Sequence, residues 1–320
     1  MQSNNIINKS ISLEDIFSLF INKNEEDAVK SMELNSLYSI YLKMQETLVR
    51  PDTISMYNSH IPSMIKYFAA HEAYETKHIS QKLIDSYVRY SIGTGVKNVT
   101  INKRVCMFTA MLKRTAKAGL ITMPVYEYEH LKEDVPKIQI INKEDVQKIL
   151  DQIDNMKLSH QVIIFILLTT GIRRNEIVNI KTHNIDFRNK SIYLEFTKCG
   201  KPRYCYFGDK LESLLKLLIQ ENGSTSNPYL FPVGESEHLD KQSVSSMLHK
   251  LKRDLKIDVL SSHKFRHLYA TALLKNGADI FTVKQLLGHS KLENTQRYLD
   301  FTNEELKQNN FKYNPLNNFK

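Results

Sequence analysis

Apolar residues recur at helical spacing through the first third of the chain. From Ser36 onward they occupy positions i, i+3, i+4, i+7 and i+11 of one run, which ends before Pro51. A second run follows Asp52 and contains Pro62, which we expect to kink the helix or to move its start later. Both runs predict amphipathic helices that bury one face.

Two further runs extend this pattern. Ser80 is predicted to cap a third helix that stops near Gly93, and Thr100 is predicted to open a fourth helix with Gly119 at its C′ position. Four such helices can enclose a small core between them. The first part of the chain is therefore predicted to be a four-helix domain over residues 35–121.

The pattern changes after this domain. A stretch with Pro124, Pro136 and no clear period is typical of a linker, which we place at residues 122–140. Asn142 is then predicted to cap a helix, and the apolar segment VIIFILL predicts a buried helix after it. A second domain therefore begins near residue 141.

Alternating apolar and polar residues predict a small antiparallel sheet in this second domain. The segments SIYLEF and RYCYF flank a turn, and a shorter strand is predicted near Asn184 to Phe187. Helices are predicted over Leu211 to Ile219 and around Val244. The predicted fold class is therefore mainly α with a small antiparallel β-sheet.

Three more helices are predicted between Ser261 and Tyr298. The second of them begins at Asp279 as its N-cap and ends at Gly288 in the C′ role. Ser290 is predicted to cap the third, a short helix that would carry Tyr298 back towards the first.

Composition adds a class of partner to this picture. The 320 residues suffice for two domains, and the net charge of +9 with a pI near 9.2 fits a polyanion such as DNA. The three cysteines lack CxxC spacing, so neither a disulfide framework nor a structural zinc site is supported. A reducing compartment is the expected location.

No targeting or membrane segment is predicted. The start of the chain lacks a basic region followed by an apolar core, and the apolar run from Val162 to Leu168 is too short for a bilayer. We therefore expect a cytoplasmic protein with no membrane partner, and a DNA partner would place it at the nucleoid.

Chemistry concentrates in the three last helices. His263 and Arg266 stand at i, i+3, which places an imidazole and a guanidinium on one helix face. His289 follows Leu-Leu-Gly, and Tyr298 comes after it. A lone His-x-x-Arg pair is more often a structural feature of a core helix. The complete set resembles the C-terminal half of the tyrosine recombinase (integrase) family, with its Xer- and Cre-like members.

The resemblance extends upstream. A Thr-Gly-Ile-Arg turn resembles the family's first signature, and Arg173 in it matches the first catalytic arginine. Arg174 is the adjacent position and could touch phosphate or solvent. Glu176 is spaced to hold the Arg173 guanidinium, so we interpret it as a supporting residue. Lys198 stands where the family keeps its hairpin lysine, with Lys201 as the close competitor.

The family resemblance implies a site-specific DNA recombinase that cleaves and rejoins DNA through a 3′-phosphotyrosyl link. The implied catalytic residues are Arg173, Lys198, His263, Arg266, His289 and the nucleophile Tyr298. A phenol suits this role because it can attack phosphorus and later leave. The two arginines would bind the non-bridging oxygens, and no metal or cofactor is implied.

The resemblance also implies roles in proton transfer. Lys198 would protonate the leaving 5′ oxygen, His263 would handle the proton of the tyrosine, and His289 would bond to the phosphate. A zinc site built from histidines and cysteines is disfavoured because no pair has ordinary ligand spacing. His267 is interpreted as a core histidine of its helix.

The implied architecture is an N-terminal core-binding, SAM-like domain followed by an α+β catalytic domain over residues 141–301. Basic residues off the apolar stripe of the fourth helix are either phosphate contacts or a solvated face: Lys103, Arg104, Lys113, Arg114 and Lys117. Residues 1–34 have no assigned role, and the tail over residues 302–320 is expected to pack on a neighbouring protomer.

The implied partner is duplex DNA with a specific recombination site, bound by four protomers. Accessory DNA-bending or excision factors are further partners implied by the resemblance. The expected context is integration, excision or resolution of a mobile element or replicon. Two other functions stay open on the same scaffold: a non-catalytic DNA-binding regulator, and a relaxing enzyme similar to type IB topoisomerases.

Overall fold

The computed structural model describes residues 29–133, 139–195, 197, 200–223, 226–296 and 298–299. The chain forms two compact units, one up to Val135 and one from Pro136. The finer domain boundaries predicted above stay predictions.

The described part of the first unit contains four α-helices. They are α1 (Leu34–Glu46), α2 (Pro51–Ala69), α3 (Gln81–Gly93) and α4 (Asn98–Lys117). Phe68 of α2 and Phe108 of α4 are fully buried and meet edge to face with ring centroids 5.3 Å apart. These helices form around the apolar stripes that the sequence pattern indicated, because each stripe finds its partner across the core.

Three details of the first unit differ from the predictions. The helix α1 ends at Glu46, so Leu48 lies beyond it and is 60% exposed. Pro62 does not delay the start of α2, which runs through it from Pro51. Pro62 is exposed, so the carbonyl that its missing N–H leaves free can bond to water. The helix α4 begins at Asn98, two residues before the predicted opening at Thr100.

The predicted linker begins as a segment packed on α4. Asn102 of α4 is 2% exposed, and its side chain donates to the Leu131 carbonyl at 2.9 Å and accepts from the Leu131 N–H. The Tyr126 hydroxyl lies 2.7 Å from the Thr109 hydroxyl of α4. These contacts hold the described start of the segment on the first unit, because they satisfy its backbone groups in place of regular structure.

The second unit combines eight described helices with two small sheets. The helices are α5 (Lys143–Asp151), α6 (Leu158–Thr170), α7 (Arg174–Val178), α8 (Asp209–Asn222), α9 (Lys241–Asp254), α10 (Ser262–Lys275), α11 (Ile280–Leu287) and α12 (Glu293–Gln296). The strands are β1 (Ile185–Asp186), β2 (Ser191–Leu194), β3 (Arg203–Tyr206), β4 (Pro232–Val233) and β5 (Glu237–His238). Strands β1, β2 and β3 pair antiparallel in chain order, and β4 pairs with β5.

This architecture confirms the predicted fold class. Asn142 caps α5, since its side chain accepts the Asp145 N–H at 2.6 Å, and Asp279 caps α11 in the same way. The predicted cap at Ser290 is wrong, because α12 begins only at Glu293. No helix in the described part of the chain is long and apolar enough to cross a membrane.

Candidate active site

The site begins where α6 ends. Gly171 adopts the left-handed conformation with φ of 59°, which turns the chain so that Arg173 becomes the N-cap of α7. Glu176, in the first turn of α7, is 3% exposed. Its carboxylate accepts the Arg173 backbone N–H at 2.8 Å and the Arg173 Nη1 at 3.0 Å.

Arg203 of β3 makes a stronger contact with the same carboxylate. Its Nη1 donates to Glu176 Oε1 at 2.9 Å and its Nη2 to Oε2 at 2.8 Å, which is the two-pronged geometry of a guanidinium on a carboxylate. Its Nε donates to the Leu286 carbonyl at the end of α11 at 3.2 Å. Arg203 therefore connects the sheet, α7 and α11.

Opposing effects act on the Glu176 carboxyl. Burial favours its neutral form, but the hydrogen bonds and charges of Arg203 and Arg173 outweigh burial and lower the pKa below its usual value. Glu176 is therefore ionised at neutral pH and holds two guanidinium groups in place.

Arg266 of α10 is a third guanidinium in this cluster and is 4% exposed. Its Nη1 donates to the Gly171 carbonyl at 2.8 Å and its Nη2 to the Leu287 carbonyl at 2.6 Å. Burial, with the nearby charge of Arg173, lowers the pKa of Arg266 to about 9, which leaves it protonated at neutral pH. The residues that close α6 and α11 thus fix the orientation of this guanidinium.

A close approach of backbone to side chain occurs at Gly288, the C-cap of α11. It has φ of 64°, and a Cβ atom there would lie 2.9 Å from Arg203 Cδ and 3.0 Å from its Nε. The Gly288 carbonyl accepts from Arg173 Nη2 at 3.4 Å. Glycine is therefore required both for the conformation and for the space that Arg203 occupies.

Tyr298 lies beside this cluster and is 9% exposed. Its hydroxyl is 3.0 Å from Nδ1 of His267, the residue that follows Arg266 on α10. His289 lies parallel to the Tyr298 ring with centroids 6.3 Å apart, and its Nδ1 is 2.8 Å from the Thr295 hydroxyl of α12. Two histidines thus flank the phenol.

The structure brings together many of the predicted site residues. One region contains Arg173, Glu176, Arg266, His289 and Tyr298. The Arg266 guanidinium interacts electrostatically with Arg173, Glu176 and Tyr298. Positive charge exceeds negative charge in this region, because the Glu176 carboxylate lies near three guanidinium groups, including that of Arg203. Such a region can bind an anion such as a phosphodiester.

The remaining predicted residues have different surroundings. His263 is exposed in the first turn of α10, and Lys198 lies outside the described residues. Lys201 is exposed, and its carbonyl accepts from the Thr197 hydroxyl at 2.7 Å, which closes the turn between β2 and β3. Arg174 donates to the Ser245 hydroxyl of α9 rather than standing free in solvent.

The basic residues on α4 divide into two groups. Lys103, Lys113, Arg114 and Lys117 are exposed. Arg104 is partly buried and donates to the Tyr87 hydroxyl at 3.3 Å, so only part of the predicted basic set forms an open face.

Two residues of the site were missed by the sequence reasoning. The sequence contained a weak indication of Arg203, which sits in an apolar strand close to the lysine-bearing turn. A cation shielded from solvent in such a strand needs a partner of opposite charge. The interpretation of His267 as a core histidine did not include the contact of its Nδ1 with the Tyr298 hydroxyl. Only its position next to Arg266 could have indicated this.

Gly171 provides a test of how tightly the site is packed. A Cβ atom there would lie 2.4 Å from Tyr269 Cδ1 and 3.1 Å from Leu287 Cδ2. Gly171→Ala is therefore expected to lower the free energy of unfolding by about 2–4 kcal/mol, from left-handed strain and overpacking together. Chemical denaturation measures this loss. The control is Gly277→Ala, where φ is 91° but nothing lies within 4 Å, and a smaller loss is expected. Equal losses would contradict the packing explanation.

Comparison with known proteins identifies the family of this chain. The phage integrase family model matches residues 139–305, more than half of the chain. Tyrosine recombinase XerC of Staphylococcus saprophyticus is 24% identical over 277 residues, which cover 84% of this chain and 93% of that protein. A probable integrase/recombinase of Acholeplasma phage L2 is 26% identical over 239 residues, covering 72% of this chain and 82% of its own length.

The fold has a solved counterpart. The Tn1549 transposon integrase, in complex with a circular intermediate DNA, superposes with a TM-score of 0.71 at 15% identity, covering 88% of this chain and 99% of that one. The resemblance drawn from the sequence motifs is confirmed. The chain belongs to the phage integrase family and is a tyrosine recombinase.

Proposed function

We propose that this recombinase cleaves and rejoins duplex DNA at a specific site through a covalent 3′-phosphotyrosyl link to Tyr298. The observation that carries the proposal is the position of the Tyr298 phenol between two histidines and beside the buried Arg266 guanidinium. A nucleophile and a phosphate-binding cation in one site are what transesterification of a phosphodiester requires.

Each step of the reaction has a residue suited to it. Arg173 and Arg266 bind the non-bridging oxygens and stabilise the charge that builds on them. The Tyr298 hydroxyl gives its proton to a histidine as its oxygen attacks phosphorus, the bond to the 5′ oxygen breaks, and Lys198 gives that oxygen a proton. His289 bonds to the phosphate. Attack by a 5′ hydroxyl on the phosphotyrosine reverses these steps and rejoins the strand.

The proposed partners are duplex DNA and further copies of the chain. Relatives of known structure carry DNA in their complexes, as the Tn1549 integrase does. The exposed cations of α4 supply phosphate contacts in the first unit, together with Lys201 and Arg174 in the second. We place four protomers in the assembly that exchanges strands, with accessory DNA-bending or excision factors setting direction. The predicted contact of the tail over residues 302–320 with a neighbouring protomer lies outside the described residues.

Covalent trapping tests the proposal. The DNA is a library of genomic fragments with nicks near the cleavage position. The short product that carries the 5′ hydroxyl diffuses away from a nicked fragment, so the cleaved strand cannot be rejoined and stays on the enzyme. Sequencing the trapped DNA would give a common motif if the enzyme is site-specific. The absence of any covalent complex would favour a non-catalytic DNA-binding regulator.

A second assay separates recombination from relaxation. A plasmid that carries two copies of the trapped motif should yield exchanged products, whose size reports deletion or inversion. Relaxed plasmid without exchanged product would favour an activity like that of type IB topoisomerases. Both outcomes start from the same covalent complex, so the first assay does not distinguish them.

Cleavage is expected to survive chelation of metal ions. Arg173, Arg266 and Lys198 supply the positive charge that a metal would otherwise bring to the phosphate. In the described residues, no group of three or more His, Cys, Asp or Glu is arranged to hold a metal ion. The rate of adduct formation with EDTA should equal the rate with Mg²⁺. A rate that falls with EDTA and returns with Mg²⁺ would contradict this charge assignment.

A further inference from the structure

The Tyr298 hydroxyl makes a specific contact that the family resemblance did not indicate. His267 Nδ1 lies 3.0 Å from it, within ordinary hydrogen-bond distance, and the two ring centroids are 5.3 Å apart. Both residues are sheltered from solvent, since Tyr298 is 9% exposed and His267 is partly buried. A ring nitrogen that can accept the proton of the nucleophile is therefore within hydrogen-bond distance of it.

The other histidine beside the phenol is less suited to take that proton. The His289 ring lies parallel to the Tyr298 ring with the centroids 6.3 Å apart, and its Nδ1 is 2.8 Å from the Thr295 hydroxyl. Thr295 is fully buried, which fixes this pair. Such an orientation suits a histidine that donates to phosphate from its other nitrogen.

His267 directly follows Arg266 on α10. The guanidinium next to it in sequence is held by the carbonyls of Gly171 and Leu287, and α10 is a continuous helix through both residues. The phosphate-binding cation and the base are thus fixed on adjacent residues of one helix. A phosphate bound at Arg266 would be presented to an oxygen whose proton His267 can accept.

We propose that His267 is the general base that deprotonates Tyr298, a role that the family resemblance gives to His263. In the tautomer with its proton on Nε2, the Nδ1 lone pair accepts the Tyr298 proton as the tyrosine oxygen forms its bond to phosphorus. The bond from phosphorus to the 5′ oxygen breaks, and that oxygen takes its proton from the general acid. The proton on Nδ1 returns to Tyr298 when the strand is rejoined.

This inference rests on the proposed function. The chemistry of tyrosine deprotonation predicts how the cleavage rate of each variant differs from that of the wild-type protein. A tyrosine hydroxyl has a pKa of about 10 in water, so without a base only a small ionised fraction reacts at neutral pH. A general base contributes about 10²–10⁴ in rate. Among the described residues, His267 and His289 contact the phenol, and Arg266 lies close enough for its charge to couple to Tyr298. The charged neighbours of Arg266 are Arg173, Arg203 and Glu176.

The experiment measures single-turnover cleavage of a nicked substrate that contains the trapped motif, between about pH 6 and 9. His267→Asn places an amide near the position of Nδ1 and keeps a hydrogen bond to the tyrosine without a basic atom. His263→Asn and His160→Asn are the comparison variants; His160 lies on α6, outside the site. Thermal unfolding and DNA affinity are measured for each.

His267→Asn is expected to slow cleavage about 100-fold or more at pH 7 with DNA affinity unchanged, and its rate should rise about tenfold per pH unit. A substrate with sulfur at the 5′ bridging position leaves without a proton, so it should not rescue this variant. Wild-type rate and pH profile in His267→Asn, or rescue by the sulfur substrate, would overturn the inference. A cleavage rate that rises about tenfold per pH unit in His263→Asn, and not in His267→Asn, would also overturn the inference.

Two controls keep the test decisive. If His267→Asn unfolds, His267→Gln is measured in its place, since it also lacks a basic nitrogen. A wild-type protein that forms no covalent complex would refute the proposed function itself. A wild-type complex together with full activity in both His267 variants would refute only the assignment of the base.

Discussion

Tyr298→Phe is expected to form no covalent DNA complex while binding DNA as tightly as the wild-type protein. The substitution removes a single oxygen, and the Arg173 and Arg266 guanidinium groups that bind phosphate stay in place. The ring keeps its packing against His289, because that contact involves the face and not the hydroxyl. The hydrogen bond to His267 is lost, which costs about 1 kcal/mol of stability.

Denaturing gel electrophoresis of trapped complexes measures the first effect, and gel shift measures the second. Tyr269→Phe is the matched control, because Tyr269 lies on the same helix as Arg266 and packs against Gly171, yet it is not the proposed nucleophile. A covalent adduct that forms with Tyr298→Phe but not with Tyr269→Phe would identify Tyr269 as the nucleophile.

Glu176→Gln is expected to abolish cleavage and to lower the free energy of unfolding by about 3–5 kcal/mol. The carboxylate accepts four hydrogen bonds, three from guanidinium groups and one from the Arg173 backbone N–H. A glutamine at this position would turn an amide NH₂ group towards those donors. It would also leave the partly buried Arg203 and the buried Arg266 without their negative neighbour.

The stability effect of this substitution should depend on pH. The folded-state pKa of Glu176 is lowered, so its contribution is fully present above the unfolded value of about 4.3 and is lost as pH falls through the folded value. Denaturant titrations at neutral and acid pH test this. Glu195→Gln is the control, since Glu195 pairs with Lys181 at 3.0 Å on a partly exposed surface and should contribute roughly 1 kcal/mol or less. Equal losses for the two variants would contradict a special role of burial at Glu176.

Local signals in the sequence were sufficient for most of the fold. The apolar stripes of the first unit, the caps at Asn142 and Asp279 and the left-handed Gly288 all depend on neighbours in the chain, so their chemistry is readable there. Two details depend on the tertiary structure. Pro62 is tolerated inside α2 because it faces solvent, and the described start of the predicted linker packs on α4 because Asn102 bonds to it.

The sequence by itself determined the family and predicted the set of site residues from Arg173 to Tyr298, because spacing along helices and turns carries that pattern. Only the tertiary structure decided which partners those residues have. Arg203 and Glu176 lie on different elements, so their ion pair depends on how β3 packs beside α7. The contact of His267 with Tyr298 likewise depends on the path of the chain after α11. Contacts between residues far apart in sequence arise from packing, and periodicity cannot report them.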